Sequence, residues 1–173
     1  MNEFIEVDIT SEMIDIAKNH CYEVAEKKQY DKHSIRRGSG TLVGSLGEVI
    51  VHSVFPEWEW SNTFDYDFLL EGYKIDIKSK DRTVPPKPHY EASISNYNPN
   101  QDCDFYIFIS ILRNKNTNCY NKGYIIGGYS KANYYEDCRF IKKGEIDPDN
   151  GWKAKCDCYN MPYSMLNSLK EFT

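Results

Sequence analysis

Asp65-Tyr-Asp-Phe-Leu-Leu-Glu-Gly-Tyr-Lys-Ile-Asp-Ile-Lys78 is the stretch on which the fold turns. Tyr66, Phe68 and Leu70 alternate with Asp65, Asp67 and Leu69, and Tyr73, Ile75 and Ile77 alternate with Lys74, Asp76 and Lys78. A period of two marks β-strands with one apolar and one polar face. Glu71-Gly72 between the runs reads as a two-residue turn, with glycine supplying a positive φ. That turn pairs Leu70 with Tyr73, Phe68 with Ile75, Asp67 with Asp76 and Asp65 with Lys78. Opposed Cβ atoms lie about 4.5–5.5 Å apart, so two carboxylates side by side cost stability unless a cation sits between them. A four-residue turn would preserve the faces but give Asp76 the partner Asp65, so both aspartates remain candidates and the shorter turn favours Asp67. The plain alternative is a polar sheet face turned to water.

Upstream, Leu42, Leu46, Val49, Ile50 and Val54 recur at helical spacing within residues 41–55, which predicts a buried helix. Glu48 is its only acid, with Gly44 and Gly47 beside it. Each glycine costs about 1 kcal/mol relative to alanine in a helix, and such small residues permit a neighbouring element to approach closely. A lone carboxylate on a buried helix, next to a hairpin bearing paired acids, suggests a shared metal ion.

Gly44-x-x-Gly47-Glu48, then Asp67, then Asp76-x-Lys78, resembles the core of the PD-(D/E)xK nuclease superfamily. The resemblance covers residues 44–80, and the strand-like residues 104–112 are compatible with the next core strand. Two features depart from the pattern: Phe64 and Tyr66, not proline, precede the aspartates, and the second acid is Asp76 rather than glutamate. The resemblance implies an α/β fold, a single domain with a central mixed β-sheet flanked by helices and a restriction-endonuclease-like core. It further implies catalytic Glu48, Asp67, Asp76 and Lys78, and Mg²⁺ held by Glu48, Asp67, Asp76 and the Ile77 carbonyl, with Mn²⁺ as a substitute. Lys78 would orient or deprotonate the water that attacks a DNA phosphodiester, most simply as an endonuclease, and a phage-encoded member is the expected setting. Lys80 and Arg82 continue past the hairpin as candidate phosphate contacts, with ordinary strand-end surface charge as the alternative. The rival function is a non-catalytic nucleic-acid-binding or interaction protein that retains the nuclease fold.

A chain of 173 residues suits one domain, residues 1–173. No apolar run approaches eighteen residues and the start lacks a basic segment followed by an apolar one, so no membrane partner and a cytoplasmic location are expected. Six cysteines without secreted-domain spacing fit reduced thiols, although Cys138 with Cys156-Asp-Cys158 forms a weak zinc pattern. A net charge of −5 opposes strong non-specific DNA binding. Local clusters soften that objection: Lys27, Lys28, Lys32, His33, Arg36 and Arg37 before the Glu48 helix, of which Arg36 and Arg37 are candidate DNA contacts, and Lys142, Lys143, Lys153 and Lys155 near the C-terminus. The sequence leaves monomer and homodimer, and DNA and RNA, open.

Elsewhere, residues 10–30 read as an amphipathic helix capped by Thr10 or Ser11, with His20 packed on or near its apolar stripe. Residues 84–89, with three prolines, read as a loop, and residues 90–97 fit neither period. Residues 104–112 and 124–130 read as pairing strands separated by a polar loop over 114–123, and residues 163–172 as a terminal helix behind Pro162. Tyr90 and Tyr97 are candidates for stacking on a base.

Overall fold

The computed structural model describes residues 4–26, 41–61, 63, 65–96, 100–148 and 150–170, and within it the 65–78 stretch forms the hairpin its alternation requires. β3 (Phe68–Leu70) and β4 (Tyr73–Arg82) run antiparallel, with Leu70 opposite Tyr73 and Phe68 opposite Ile75. Glu71 (φ 51°) and Gly72 (φ 88°) fill the turn. Both lie in the left-handed region, whose twist matches that of the flanking strands. β2 (Glu59–Trp60) pairs with the outer edge of β3.

On its other side β4 runs parallel to β6 (Phe105–Arg113), which pairs antiparallel with β7 (Tyr120–Ser130). β1 (Ile5–Asp8) completes a six-stranded mixed sheet of order β1-β7-β6-β4-β3-β2. The central strand β6 buries both faces, which is why it reads as a continuous apolar run rather than an alternation. The strands expected over 104–112 and 124–130 do pair, but β7 starts at Tyr120, so the expected 114–123 loop contracts to a turn. Asn118 there adopts φ 58° and its N–H donates to Asn114 O at 2.9 Å.

The two faces of the sheet carry different cores. α1 (Ser11–Glu26) begins at Thr10, whose Oγ1 accepts the Met13 N–H at 3.2 Å, and packs on α2 (Thr41–Val54). α2 lays Leu46, Val49, Ile50 and Val51 on Ile75, Ile77, Ile107, Ile109 and Ile125. The opposite face, with Tyr106, Phe108, Tyr124 and Ile126, meets α3 (Lys131–Asp137) and a second sheet. That sheet has the order β5-β9-β8, formed by β5 (Glu91–Ser95), β9 (Cys158–Pro162) and β8 (Arg139–Ile141). The buried Tyr134 hydroxyl ties α3 to it, with Ala92 O at 3.0 Å and Tyr159 O at 2.9 Å. The result is a single α/β domain.

Of the expected terminal helix over 163–172, the described residues show a 3-10 turn at Tyr163–Met165 and no α-helix, and residues 171 and 172 lie outside the described residues. Leu166 leaves the turn in extended conformation to enter the core, and Asn167 exchanges two backbone hydrogen bonds with Gly128, at 2.9 and 3.0 Å. Residues 84–89 are irregular, as their prolines require. All six cysteines are free thiols, and among the described residues Cys138, Cys156 and Cys158 form no metal-binding group. Among the described residues no helix is long and apolar enough to cross a membrane.

The glycines of α2 differ in what surrounds them. A Cβ on Gly47 would stand 1.8 Å from Ser79 Oγ and 3.0 Å from Ser79 Cβ, so rotating the hydroxyl away does not relieve the crowding. A Cβ on Gly44 would meet nothing within 4 Å, so only Gly47 serves close approach. Gly44→Ala should therefore raise stability in urea unfolding by up to about 1 kcal/mol through helix propensity. Gly47→Ala should lower it by about 1–3 kcal/mol through overpacking; equal effects would show that α2 does not press on β4 at this point.

Candidate functional site

β4 sorts its residues by parity. Ile75 and Ile77 go into the core beneath α2, while Asp76 and Lys78 belong to the alternate face, beside Tyr106 of β6. Asp76 is only 4% exposed, so its charge needs a partner. Lys78 Nζ lies 2.5 Å from Asp76 Oδ2 and 5.5 Å from the Tyr106 ring centre. Gln101 spans the pair: its Oε1 accepts from Lys78 Nζ at 2.8 Å and its Nε2 donates to Asp76 Oδ1 at 3.3 Å. Lys131, at the start of α3, donates to the Gln101 carbonyl and holds the loop in place.

Asp67 reaches the same place by a different route from the one its alternation suggests. The ladder ends at Phe68–Ile75, and the Asp67 N–H donates to Ile75 O at 2.9 Å instead of continuing the pairing. The Asp67 carbonyl accepts from Ser61 N at 2.7 Å, and its side chain replaces a strand carbonyl, with Oδ2 accepting the Ile77 N–H at 2.7 Å. This departure from the ladder carries Asp65 away. Its Oδ1 accepts the Asp102 N–H at 3.3 Å, so the expected Asp65–Lys78 pairing does not form.

Glu48 follows Gly47 on α2, and the contact of Gly47 with Ser79 brings it to the hairpin. Trp60 Nε1 donates to Glu48 Oε2 at 3.0 Å. His20 packs against the Trp60 ring at 5.2 Å; its Nδ1 bonds Ser45 Oγ at 3.0 Å and stands 3.7 Å from Glu48 Oε2. His20 is thus packed, as expected, but against the acid.

The electrostatics of the three acids agree. Burial pushes Glu48 up to about 8, with the Asp76 charge adding to it and the Trp60 hydrogen bond opposing. Asp67 as a residue is half-buried, but its carboxyl is enclosed. Burial and then the charges of Glu48 and Asp76 hold it well above the usual carboxylate range, against the Ile77 N–H and Lys78. Burial also raises Asp76, with Lys78 pulling the other way. Three carboxyl groups that would otherwise retain protons form a site that a cation relieves.

The donors fit a hard dication. All are carboxylate oxygens, and buried Asp76 Oδ2 has the Lys78 ammonium close by but no hydrogen bond of acceptable geometry. Among the described residues no three His, Cys, Asp or Glu side chains stand as a ready-made ligand group. Glu48 is turned to Trp60, Asp67 to the Ile77 amide and Asp76 to Lys78, so binding a cation asks these side chains to exchange partners.

Of the expected phosphate contacts, Lys80 is exposed. Arg82 is committed to the fold: Nη2 donates to Glu91 O and Tyr163 Oη at 3.3 and 3.2 Å, and the guanidinium lies 4.7 Å from the Tyr90 ring centre. Arg36, Arg37 and the rest of that basic cluster lie outside the described residues, as does Tyr97. Gln101 and Lys131 escaped the sequence reading because neither belongs to a periodic pattern shared with the hairpin. Trp60 did leave a signal, the alternation Trp58-Glu-Trp60 just before the hairpin. No protein-family model matches the chain, and no curated protein matches it significantly.

The raised carboxyls set a pH dependence. Without metal, folded Glu48 keeps its proton to about pH 8, whereas the unfolded chain releases it near the ordinary value of about 4.3. Between these values the unfolded state binds fewer protons, so stability is full at the acid end and falls as pH rises. Asp67 and Asp76 act in the same direction. Thermal unfolding in EDTA should show the melting temperature falling from about pH 5 to pH 8, and Glu48→Gln should flatten the fall and melt higher than wild type at pH 8. Parallel curves for the two proteins would contradict a buried Glu48 carboxyl.

Proposed function

We propose that this protein is a Mg²⁺-dependent deoxyribonuclease of PD-(D/E)xK type with a restriction-endonuclease-like core, acting as an endonuclease. The observation that carries the reading is the meeting of Glu48, from α2, with Asp67 and Asp76, from the hairpin, beside Lys78. The Asp76 charge raises the proton affinity of Glu48, and Glu48 and Asp76 together raise that of Asp67, while Lys78 is held by Asp76 and Gln101. Glu48, Asp67, Asp76 and the Ile77 carbonyl would hold the ion, with Mn²⁺ able to replace Mg²⁺. When bound, the cation supplies a Lewis acid for the phosphoryl oxygen and a more acidic water.

The chain's own groups do the rest. Lys78 orients the attacking water and offsets the negative charge that grows on the phosphate. Gln101 accepts a hydrogen bond from the Lys78 ammonium and limits where it can point. The rival reading, a nucleic-acid-binding protein that retains the fold without cleaving, draws on the closed Lys78–Asp76 pair.

Supercoiled plasmid distinguishes the two. Wild type should convert it to nicked and linear forms with Mg²⁺ or Mn²⁺ and leave it intact in EDTA; no conversion with either metal would overturn the nuclease reading. Lys78→Ala should lower turnover by about 10²–10⁴-fold, the loss expected for one acid–base group. Calorimetric titration of Mn²⁺ should be little changed in that variant and should lose its site in Asp76→Ala. Asp67→Asn should abolish cleavage and Asp65→Asn should leave substantial activity; the reverse would exchange their roles.

A further inference from the structure

Between residues 142 and 155, the described residues 142–148 and 150–155 form a hairpin outside both cores that the catalytic reading does not use. Its backbone is ordered by its own hydrogen bonds: Gly144 N to Ala154 O, Ala154 N to Glu145 O and Asp147 N to Trp152 O, at 2.8, 2.9 and 2.8 Å, with a bridge between Ile146 and Lys153. It is anchored twice. Ala154 is buried with Ile141 and Cys158, and fully buried Asp147 accepts from Arg139 Nη2 at 2.8 Å and Asn160 Nδ2 at 3.1 Å.

What it turns outward is basic and apolar. Lys142, Lys143, Lys153 and Lys155 are exposed, as are Ile146 (66%) and Trp152 (39%). Lys153 and Lys155 flank inward-facing Ala154, so period two sets them with Ile146 on the outward face. With Asp147 tied to Arg139, the sequence of this stretch sets four lysines against Glu145 and Asp149, in a chain of net charge −5. Burying Trp152 and Ile146 alone would suit a protein partner, but lysine is depleted at protein interfaces and suits phosphates.

The root of the hairpin lies within electrostatic reach of β4. That root includes Cys158, whose thiol burial holds at about 11 against the nearby charge of Lys80. Lys80 is two residues along β4 from Lys78, about 7 Å at the usual strand rise. A two-stranded ribbon has the width that the major groove of a duplex admits.

We infer that the 142–155 hairpin is a duplex-DNA arm, with Lys142, Lys143, Lys153 and Lys155 gripping phosphates of the duplex cut at Lys78, and Ile146 packing into its groove. The identity of the polyanion rests on the nuclease reading; the test does not need cleavage. Binding of a short labelled duplex is followed by fluorescence anisotropy in EDTA at several salt concentrations. Replacing all four lysines by glutamine should weaken binding at least about tenfold near 0.1 M salt and reduce the slope of log K against log salt by about 3–4. Lys153→Gln with Lys155→Gln alone should give about half that change in slope, and Lys87→Gln with Lys115→Gln, exposed lysines elsewhere, should leave it unchanged. An unchanged slope in both hairpin variants, no duplex binding by wild type, or equal competition by polyaspartate would overturn the arm. Hairpin-dependent binding without cleavage under any metal would support the arm and overturn the nuclease reading; cleavage with a lysine-independent slope would do the opposite.

Discussion

The close approach of α2 to β4 at Gly47 organises the rest. A glycine hydrogen facing Ser79 allows the helix to sit where a methyl group would be 1.8 Å from a hydroxyl oxygen, and the next residue is Glu48. Were the helix displaced by the width of a side chain, Leu46 and Ile50 could still bury against the sheet, as apolar contacts tolerate repacking. The meeting of Glu48 with the hairpin acids would not survive so easily, because Coulomb and hydrogen-bond interactions depend on distance and direction. The contact therefore constrains the polar site more tightly than the apolar core.

That site works against folding. Asp76 and the carboxyls of Glu48 and Asp67 are withdrawn from water near one another, with Lys78 the main cation close by. The chain compensates with directional partners: Trp60 for Glu48, the Ile77 amide for Asp67, Lys78 and Gln101 for Asp76. Each partner favours the charged carboxylate, yet desolvation still dominates all three. A group of acids with such high proton affinity is a poor structural device, since apolar residues of similar volume would fold more readily. The proposed cation would offset that cost by favouring the ionised carboxylates.

What the sequence made legible was local. The 65–78 hairpin announced itself through period two and Glu71-Gly72, and α2 through its apolar spacing, because short-range sterics and one-sided burial decide both. The second sheet was hidden: β5 and β9 pair across more than sixty residues, and neither strand carries an alternation that names its partner. The 163–172 segment has helical spacing at Tyr163, Leu166 and Leu169, but Asn167 finds partners on Gly128 and Leu166 finds the core, so tertiary contacts overrule the local pattern. At the site, the path that takes Asp67 to the Ile77 amide and Asp65 to the Asp102 amide was half legible. The turn length was right, but the ladder stops at Phe68, and no alternation rule foresees a side chain taking the place of a strand carbonyl.

Gln101 shows where reading residues by pattern reaches its end. It lies in a connection that sequence leaves featureless, yet it joins the two β4 residues that the hairpin pattern singles out, accepting from one and donating to the other. A carboxylate in its place would add a charge to a site already crowded with acids, and a lysine could not accept from Lys78. An uncharged group with one donor and one acceptor is what a lysine–aspartate pair needs from a third partner. Its position follows from the parallel pairing of β4 with β6, which brings the segment before Phe105 to the start of β4. The hairpin supplies charge, the helix adds a third carboxyl, and the crossover supplies the neutral clamp; only the assembled sheet brings the three together.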